Sequence, residues 1–381
     1  MYAEWHDMPH EAASTGPMNR RDFLRLGSVG LAGAVLLGTT GGTVLAQTGS
    51  SLKTEFGAAA AKYMVPKALL MAMGYVNTLW EMPPPEASDY EPGDLHGRGA
   101  YGIMQLLQNA SRNTLGRAAS LTGFSERELK NSRAANVRGA AAVLADIQGE
   151  NRPAGLNGWQ EAVANYGDTE LYAVEVYKTL KAGASATIST GESLLLAPQV
   201  GVEVPQIFTA QSAANYARAV WRPAYSGNYT NASRGAAKID KIVIHVAQGS
   251  YSGTISWFQD SRANASAHYV VGRGGAIAQC VHNADIAWHA GHWVTNTRSI
   301  GIEHAGYIGD PKWFTDKMYH ASARLSAYLA RQLGIPVDRQ HIIGHNQVPG
   351  CPGAGGGVGC HRDPGRYWNW RKYMRLIRHY R

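Results

Sequence analysis

The sequence has few cysteines, few charged residues and no long uninterrupted apolar run. Of its 381 residues, three are Cys and 17% are charged, whereas 45% are hydrophobic. Three cysteines exclude a disulfide-framework miniprotein and a zinc module built on four cysteines. Low charge combined with abundant apolar residues excludes a disordered polyelectrolyte. The chain is therefore globular, and its length predicts two or three domains.

The charge that is present is mainly positive. Lys and Arg number 36 against 28 Asp and Glu, which gives a formal net charge of +8. A basic balance suits nucleic acid, an anionic membrane or an anionic polymer outside the cell, and composition does not choose among them.

The N-terminus narrows this choice. Residues 19–25 read NRRDFLR, and a weakly apolar, Gly-rich run follows over residues 27–44. This segment resembles a twin-arginine export signal, with cleavage expected after Ala46. A membrane anchor is the alternative, but glycines and threonines leave the apolar run short of the roughly 20 residues that span a bilayer. We therefore expect a secreted or cell-envelope protein that has no stable membrane anchor and does not bind nucleic acid.

The remaining chain divides into two halves with different patterns. Residues 51–181 place apolar side chains three and four apart, which predicts helices. An Ala/Ser/Thr-rich segment with two prolines follows and predicts a linker. Short β-rich runs then occur at 241–246, 268–271, 276–281, 299–304 and 341–344, with a helical stretch at 314–333. The predicted domains are an all-α domain (47–185), a linker (186–208) and an α/β domain (209–381).

Most of the 14 histidines lie after residue 240. His245 ends the apolar run 242–244, and His345 follows a similar run at 342–344. Both positions let a rigid strand present a side chain to a cleft. A catalytic zinc site usually has three protein ligands drawn from His, carboxylate and Cys, so this pattern invites a metal site in the second half.

Six motifs in this half carry a family resemblance. In chain order they are IVIHVAQGS (242–250), SAHYVVGRGG (266–275), AWHAG (287–291), NTRSIGIEHAGY (296–307), HIIGHNQVPG (341–350) and DPGRYWNW (363–370). They resemble the zinc-dependent N-acetylmuramoyl-L-alanine amidases, the group that includes the peptidoglycan recognition proteins. The resemblance implies a central mixed β-sheet flanked by helices, peptidoglycan as substrate, and hydrolysis of the amide between N-acetylmuramic acid and L-alanine.

The same resemblance implies roles for individual residues. The family's zinc ligands fall on His245, His345 and Asp363. Glu303 takes the place of the general base, and His361 that of the residue that stabilises the oxyanion. Substrate contacts are expected at Trp288, His289 and Asn296.

The third zinc ligand has an alternative assignment. His345 and Asp363 stand eighteen positions apart, which is longer than the family's usual spacing, and Cys351-Pro352-Gly353 within the insert echoes a motif in which recognition proteins supply a Cys ligand. We favour Asp363 because the Asp-Pro-Gly motif and the preceding His361 are intact. Cys351 and Cys360 are then expected to form a disulfide that closes the insert, leaving Cys280 as a buried thiol.

The helical half resembles the lysozyme-like fold of soluble lytic transglycosylases in the segments at 65–80, 99–107, 136–147 and 162–168. That family needs a Glu followed by Ser at the end of its first long helix, where this sequence has Asn77 and Thr78. An amide has no dissociable proton for a glycosidic oxygen. We therefore expect a glycan-binding domain without catalysis, with a plain helical spacer as the alternative.

The leading hypothesis is thus an exported zinc amidase with an accessory helical domain. The alternatives are a lytic transglycosylase or muramidase acting through the helical half, and a peptidoglycan-binding protein without activity. The sequence does not predict an oligomeric state.

Overall fold

The computed structural model describes residues 51–207, 214–349 and 361–381, all of which belong to one compact unit. The predicted export signal lies outside these residues. Within them, no helix combines the length and the apolar character that crossing a bilayer requires.

The first half is helical, as predicted. Its helices are α1 (Leu52–Tyr63), α2 (Lys67–Thr78), α3 (Thr114–Thr122), α4 (Glu126–Asn131), α5 (Arg133–Gln148), α6 (Gln160–Gly167) and α7 (Glu170–Ala182). A short hairpin of β1 (Ala100–Tyr101) and β2 (Leu106–Leu107) follows α2. Side-chain caps begin several helices: the Ser51 hydroxyl accepts from the Thr54 N–H, and Ser125 forms a capping box with Glu128. Helix α5 is rich in Ala and buried along most of its length, so its neighbours pack closely around it.

The segment 186–208 was predicted as a linker, and this prediction is wrong for the part that the structure describes. An antiparallel hairpin of β3 (Ala184–Thr187) and β4 (Ser193–Leu196) occupies it. Leu194 and Leu196 point into the helical core, whereas Leu195 between them is 69% exposed. This alternation is the period of a half-buried strand, and the surrounding Ala, Ser and Thr residues concealed it.

The second half is the predicted α/β domain with a mixed sheet. Its strands are β5 (Val220–Trp221), β6 (Tyr229–Thr230), β7 (Lys241–Ile244), β8 (Tyr269–Val271), β9 (Ile277–Gln279), β10 (Ile286–Ala287), β11 (Ser299–His304) and β12 (Ile342–Gly344). Its helices are α8 (Tyr251–Gln259), α9 (Trp293–Arg298), α10 (Asp316–Leu333) and α11 (Trp370–Tyr380). The main sheet has the order β12-β7-β11-β8-β9-β5, and its pairs are parallel except β8 with β9. The five predicted strands and the long helix are all present, with ends that differ by a few residues.

Helices cover both faces of this sheet. Side chains of β7, β8 and β11 pack with α10 and α11 on one face. On the other face, Val270 and Ala278 pack with Ile255 and Phe258 of α8. The Thr315 hydroxyl caps the start of α10, and Gly334, at φ +70°, ends it in the left-handed region that favours glycine.

The two halves share part of their core. Leu79 and Leu95 of the helical half pack in the same apolar cluster as α8. Two hydrogen bonds reinforce this packing. The Gly93 N–H donates to the Ala263 carbonyl at 2.7 Å, and the Trp257 indole N–H donates to the Asp94 carbonyl at 3.0 Å. The helical half is therefore packed directly against the α/β half, and the two are not separated by a linker.

Candidate functional site

The sheet brings two histidines together. His245 directly follows β7 and His345 directly follows β12, and these parallel strands pair with Ile244 opposite Gly344. The carboxyl ends of parallel strands meet at one edge of a sheet, where open α/β folds bind their ligands. Both histidines are buried, and their ring centroids are 4.3 Å apart.

Asp363 completes a cluster with these histidines. Its Oδ2 lies 3.3 Å from the Nδ1 of His245, and its Oδ1 lies 3.1 Å from the Nδ1 of His345. One ligand atom from each of the three residues falls within 4.8 Å of the others. Ligand atoms around tetrahedral zinc, at bonds of about 2.0–2.1 Å, lie about 3.3 Å apart. Two imidazole nitrogens and a carboxylate therefore fit zinc in both spacing and chemistry.

The protonation of this cluster also suits a metal. Burial, reinforced by the neighbouring His345, lowers the pKa of His245 to about 3. Burial by itself would raise the pKa of Asp363, but the adjacent histidines outweigh it and hold that pKa well below its usual range. Metal ligands must be neutral imidazoles and ionised carboxylates near neutrality. These shifts favour that state.

A chain of hydrogen bonds through Ser299, His289 and His245, called the tautomer chain below, fixes the tautomer of His245. The Ser299 hydroxyl donates to the Thr295 carbonyl at 2.6 Å, so its oxygen is left to accept from the Nε2–H of His289 at 3.0 Å. The Nδ1 of His289 then accepts from the Nε2–H of His245, also at 3.0 Å. The Nδ1 of His245 consequently presents a lone pair to the cluster, as a metal ligand requires.

Glu303 lies beside the cluster on β11, the strand next to β7. It is completely buried, and neither carboxylate oxygen has a hydrogen-bond partner in the described part of the chain. Burial raises the pKa of Glu303 well above its usual range, and the nearby Asp363 and Asp94 add to this effect. A carboxyl whose pKa is raised in this way exchanges a proton closer to neutral pH.

His361 stacks on His345. The two ring centroids are 3.5 Å apart and the planes differ by 14°. Burial lowers the pKa of His361 to about 4, and its Nε2 is buried with no partner among the residues that the structure describes. His361 is therefore neutral near pH 7, with a ring nitrogen left to interact with a bound molecule.

The three expected substrate contacts lie near the cluster but differ in what they present. His289 is 1% exposed, and both of its ring nitrogens are used in the tautomer chain. The side-chain oxygen of Asn296 accepts from the backbone N–H groups of His289 and Ala290, which fixes this loop. Trp288 is half-buried and donates its indole N–H to Thr230. His289 and Asn296 thus hold the site together, while Trp288 keeps an accessible face.

The predicted disulfide cannot be placed, because Cys351 and Cys360 lie outside the described residues. Cys280 is a buried free thiol, as expected. Burial raises its pKa to about 12, which makes it unreactive as a nucleophile.

Asn77, the degenerate glycosidase position, is 3% exposed at the contact between the halves. It lines a small cavity together with Tyr166 and Tyr172 of the helical half and with Ser250 and Gly253 at the start of α8. The expected sugar-binding groove is thus covered at this position by the α/β half. No sequence pattern within the helical half indicates this contact.

Two residues of interest carried no sequence signal. Ser299 is one of many serines, and its link to His245 exists only in three dimensions. His96 belongs to the helical half, yet it lines a cavity with Ala247, Gln248 and Gly249, which follow His245 along the chain. Nothing in the segment EPGDLHGRG indicates a site across the interface.

Comparison with known proteins identifies the family. The family described as N-acetylmuramoyl-L-alanine amidase matches residues 235–366. N-acetylmuramoyl-L-alanine amidase A of Achromobacter lyticus is 34% identical over 182 residues, which cover 43% of this chain and 96% of that protein. This chain belongs to the N-acetylmuramoyl-L-alanine amidases. It is an enzyme, and the matched region contains His245, Glu303, His345, His361 and Asp363.

Other relatives of this amidase match between 30% and 45% of the chain. The 1,6-anhydro-N-acetylmuramyl-L-alanine amidase AmpD of Haemophilus influenzae is 29% identical over 119 residues, covering 30% of this chain and 59% of that protein. A crystal structure of a selenomethionine derivative of AmpD is 21% identical, with a TM-score of 0.34, and covers 45% of this chain and 99% of the other. The catalytic domain of XlyA is 20% identical, with a TM-score of 0.31, and covers 41% and 97% respectively.

Proposed function

We propose that this amidase cleaves the bond between N-acetylmuramic acid and L-alanine with a zinc ion held by His245, His345 and Asp363. The observation that carries the proposal is the buried convergence of these three side chains at the carboxyl edge of the sheet. The tautomer of His245 and the spacing of the ligand atoms both favour this assignment. Zinc at such a site supplies a water molecule with a pKa of about 7 and polarises a carbonyl group.

Glu303 is assigned the proton transfers. In hydrolysis, the water oxygen adds to the scissile carbonyl carbon, the water gives up a proton, and the C–N bond to L-alanine breaks. The unpartnered carboxylate of Glu303 takes that proton and returns it to the leaving amine. Its raised pKa suits a group that must hold a proton between these two steps.

His361 is assigned to the developing oxyanion. A neutral imidazole can donate a hydrogen bond from Nε2, and this atom is buried with no partner among the described residues. The stacking of its ring on His345 keeps it in position. A preorganised donor of this kind contributes roughly 100- to 1,000-fold in kcat.

The test uses purified protein with measured zinc content, incubated with peptidoglycan. We expect new L-alanine amino termini that disappear with a chelator and return when zinc is added. Glu303→Gln should abolish them while zinc remains bound, because only the proton transfer is lost. The exposed acid Glu150 provides a matched control, since Glu150→Gln should leave turnover unchanged. Retained activity in Glu303→Gln would refute the assigned role.

We also propose that the protein is exported by the twin-arginine route and acts in the cell envelope. Support comes from Arg20-Arg21, the Gly-rich apolar run that follows, and the basic net charge. Fractionation of cells that produce the wild type or an Arg20→Lys, Arg21→Lys variant tests this proposal. Retention of the variant in the cytoplasm is the expected result, and equal export of both proteins would contradict it.

The helical half is proposed to lack glycosidase chemistry. Position 77 carries an amide and lies against α8, so neither a general acid nor an open groove is present there. A glycan-binding role would have to use another surface of this half. Its membership of the lysozyme-like fold remains a prediction.

A further inference from the structure

We propose that the helical half supplies one wall of the amidase site and that His96 binds the muramyl peptide there through its Nε2 atom. This inference rests on the proposed function of the metal cluster. It assigns a substrate contact to a residue far outside the part of the chain that matches the amidase family.

The first observation is the state of the His96 side chain. His96 is 8% exposed, and its Nε2 is buried with no hydrogen-bond partner within residues 51–207, 214–349 and 361–381. Its Nδ1 lies 3.3 Å from the Oδ1 of Asp94, which also accepts from the His96 backbone N–H at 2.7 Å. Buried polar groups in folded proteins nearly always have a partner. An unpaired imidazole nitrogen is therefore a costly feature in a residue that serves folding alone.

The second observation is that the α/β half holds this loop in place. Gly93 and Asp94 are each hydrogen-bonded through their backbones to residues around α8, and Leu95 packs into the same apolar cluster. His96 is thus fixed relative to the sheet edge before any substrate arrives. Such preorganisation lowers the entropic cost of a binding contact.

The third observation is the location of His96. It lines a small cavity with Ala247, Gln248 and Gly249, the residues that follow His245 along the chain. His96 is not a member of the cluster whose ligand atoms lie within 4.8 Å of one another. The cavity contains no residue of that cluster, so the proposal places His96 on a molecule that extends from the zinc site toward residues 247–249, and not on the metal itself.

The chemistry of the contact follows from Asp94. The Asp94 Oδ1, 3.3 Å from Nδ1, assigns the imidazole proton to that nitrogen and leaves a lone pair on Nε2. Its natural partner is an N–H donor, and a muramyl peptide offers two kinds: the acetamido group of the sugar and the amides of the stem peptide. Both sources present the same secondary amide N–H.

The experiment measures binding apart from catalysis, in zinc-loaded Glu303→Gln protein. The probes are muramyl dipeptide and the corresponding N-lactoyl dipeptide, which lacks the sugar. His96→Ala should weaken binding of muramyl dipeptide about tenfold, as expected for loss of one good hydrogen bond. A similar loss with the lactoyl peptide would assign the donor to the stem, whereas a loss confined to muramyl dipeptide would assign it to the sugar. His379→Ala, which changes an exposed histidine on α11, is the matched control and should have no effect.

Other outcomes would overturn the inference. Unchanged affinity for both probes in His96→Ala would show that Nε2 makes no substrate contact. A loss of zinc that accounts for the weaker binding would make His96 a support of the metal site instead. If His96→Ala does not fold, His96→Gln provides the test, because its amide oxygen can accept the same hydrogen bond. Its affinity for muramyl dipeptide should lie between that of the wild type and that expected for a protein with no acceptor at this position. Failure of unmodified protein to release L-alanine termini would refute the proposed function itself, whatever His96 does.

Discussion

At the scale of single residues, identical side chains acquire different tasks from what surrounds them. His245 has one nitrogen in the metal cluster and the other in a hydrogen bond. His289 has both nitrogens committed to protein partners, and so does His304, which bonds to the His245 carbonyl and to the Ser322 hydroxyl. The capacity to bind a metal or a substrate therefore depends on which nitrogen remains unpaired, and the identity of the residue alone does not determine it.

The tautomer chain predicts a metal-binding effect from a serine that does not touch the metal. Ser299→Ala removes the acceptor for His289, which is then free to turn its proton toward His245. Loss of such an outer hydrogen bond typically weakens metal binding about 10- to 100-fold. We expect the zinc Kd of Ser299→Ala, measured by competition with a chromogenic chelator, to rise within that range.

Ser326→Ala is the control for this prediction. Ser326 is equally buried, but it bonds to Tyr373 in the packing between α10 and α11. Its loss should lower thermal stability and leave the zinc Kd unchanged. Equal weakening of zinc binding in both variants would mean that general loosening, and not the tautomer of His245, is responsible.

The sequence reveals only part of this site. His245 and His345 could be predicted because each ends an apolar run, and strand ends collect at one edge of a sheet. Asp363 needed the family motif, since the insert separates it from His345. The roles of Ser299 and His96 depend on contacts across tens of residues or across the interface, and no local pattern encodes such contacts.

At the scale of secondary-structure elements, strand β11 has two roles. It positions the carboxylate of Glu303, and its glycine Gly301 leaves room for the ring of His289. Glu303 faces the cluster, while Gly301 two residues earlier lies under His289. A Cβ atom at Gly301 would be 2.4 Å from the Cγ of His289, which is far inside contact distance. Glycine at this position is therefore a requirement of the tautomer chain.

Gly301→Ala should accordingly damage both the fold and the metal site. The new methyl group must displace the ring of His289, and overpacking of this kind costs about 1–3 kcal/mol. We expect a lower Tm and weaker zinc binding together, measured by differential scanning calorimetry and chelator competition. Gly309→Ala is the control, because a Cβ there meets nothing within 4 Å. A Gly301→Ala protein with unchanged Tm and zinc Kd would show that His289 can move freely.

The elements themselves were more predictable than their packing. The strands around His245, Glu303 and His345 follow from short apolar runs, and α10 follows from its amphipathic pattern. The sequence does not predict the hairpin of β3 and β4, because each strand has only four residues, too few for the alternation of Leu194 and Leu196 to outweigh a loop-like composition.

At the scale of the whole molecule, the contact between the halves determines what the helical half can do. Asn77 is covered by the start of α8, so restoring an acid there should not restore glycosidase activity. We expect Asn77→Glu to release no anhydro or reducing sugar ends from peptidoglycan. The Tm of this variant should also fall, because a carboxyl group would be buried without a hydrogen-bond or ion-pair partner provided for it. Asn151→Glu, at an exposed position of the same half, should leave Tm unchanged. Sugar ends released by Asn77→Glu would mean that the halves separate enough to admit glycan.

The buried histidines predict how stability depends on pH. Burial is the main cause that lowers their pKa values: to about 3 for His245, to about 4 for His304 and His361, and well below the usual range for His268 and His289. An unfolded chain binds protons at these residues near pH 6.5, whereas the folded chain does not. The stability they contribute is complete above about pH 6.5 and is lost as the pH falls toward about 4.

Glu303 acts in the opposite sense, because its raised pKa lets the folded state keep a proton that the unfolded state has released. Burial raises the pKa values of Glu175 and Asp310 in the same way. Below pH 6.5, however, up to three such protons are outweighed by up to five on the histidines. We therefore expect the Tm of zinc-free protein to fall steadily between pH 7 and pH 5, as followed by circular dichroism.

His304→Gln can keep hydrogen bonds to its neighbours without a titrating group, so its Tm should fall less steeply with falling pH. His379→Ala, which changes an exposed histidine, should follow the wild type. A Tm that rises as the pH falls through this interval would show that the buried carboxyls, and not the histidines, dominate the proton balance of folding.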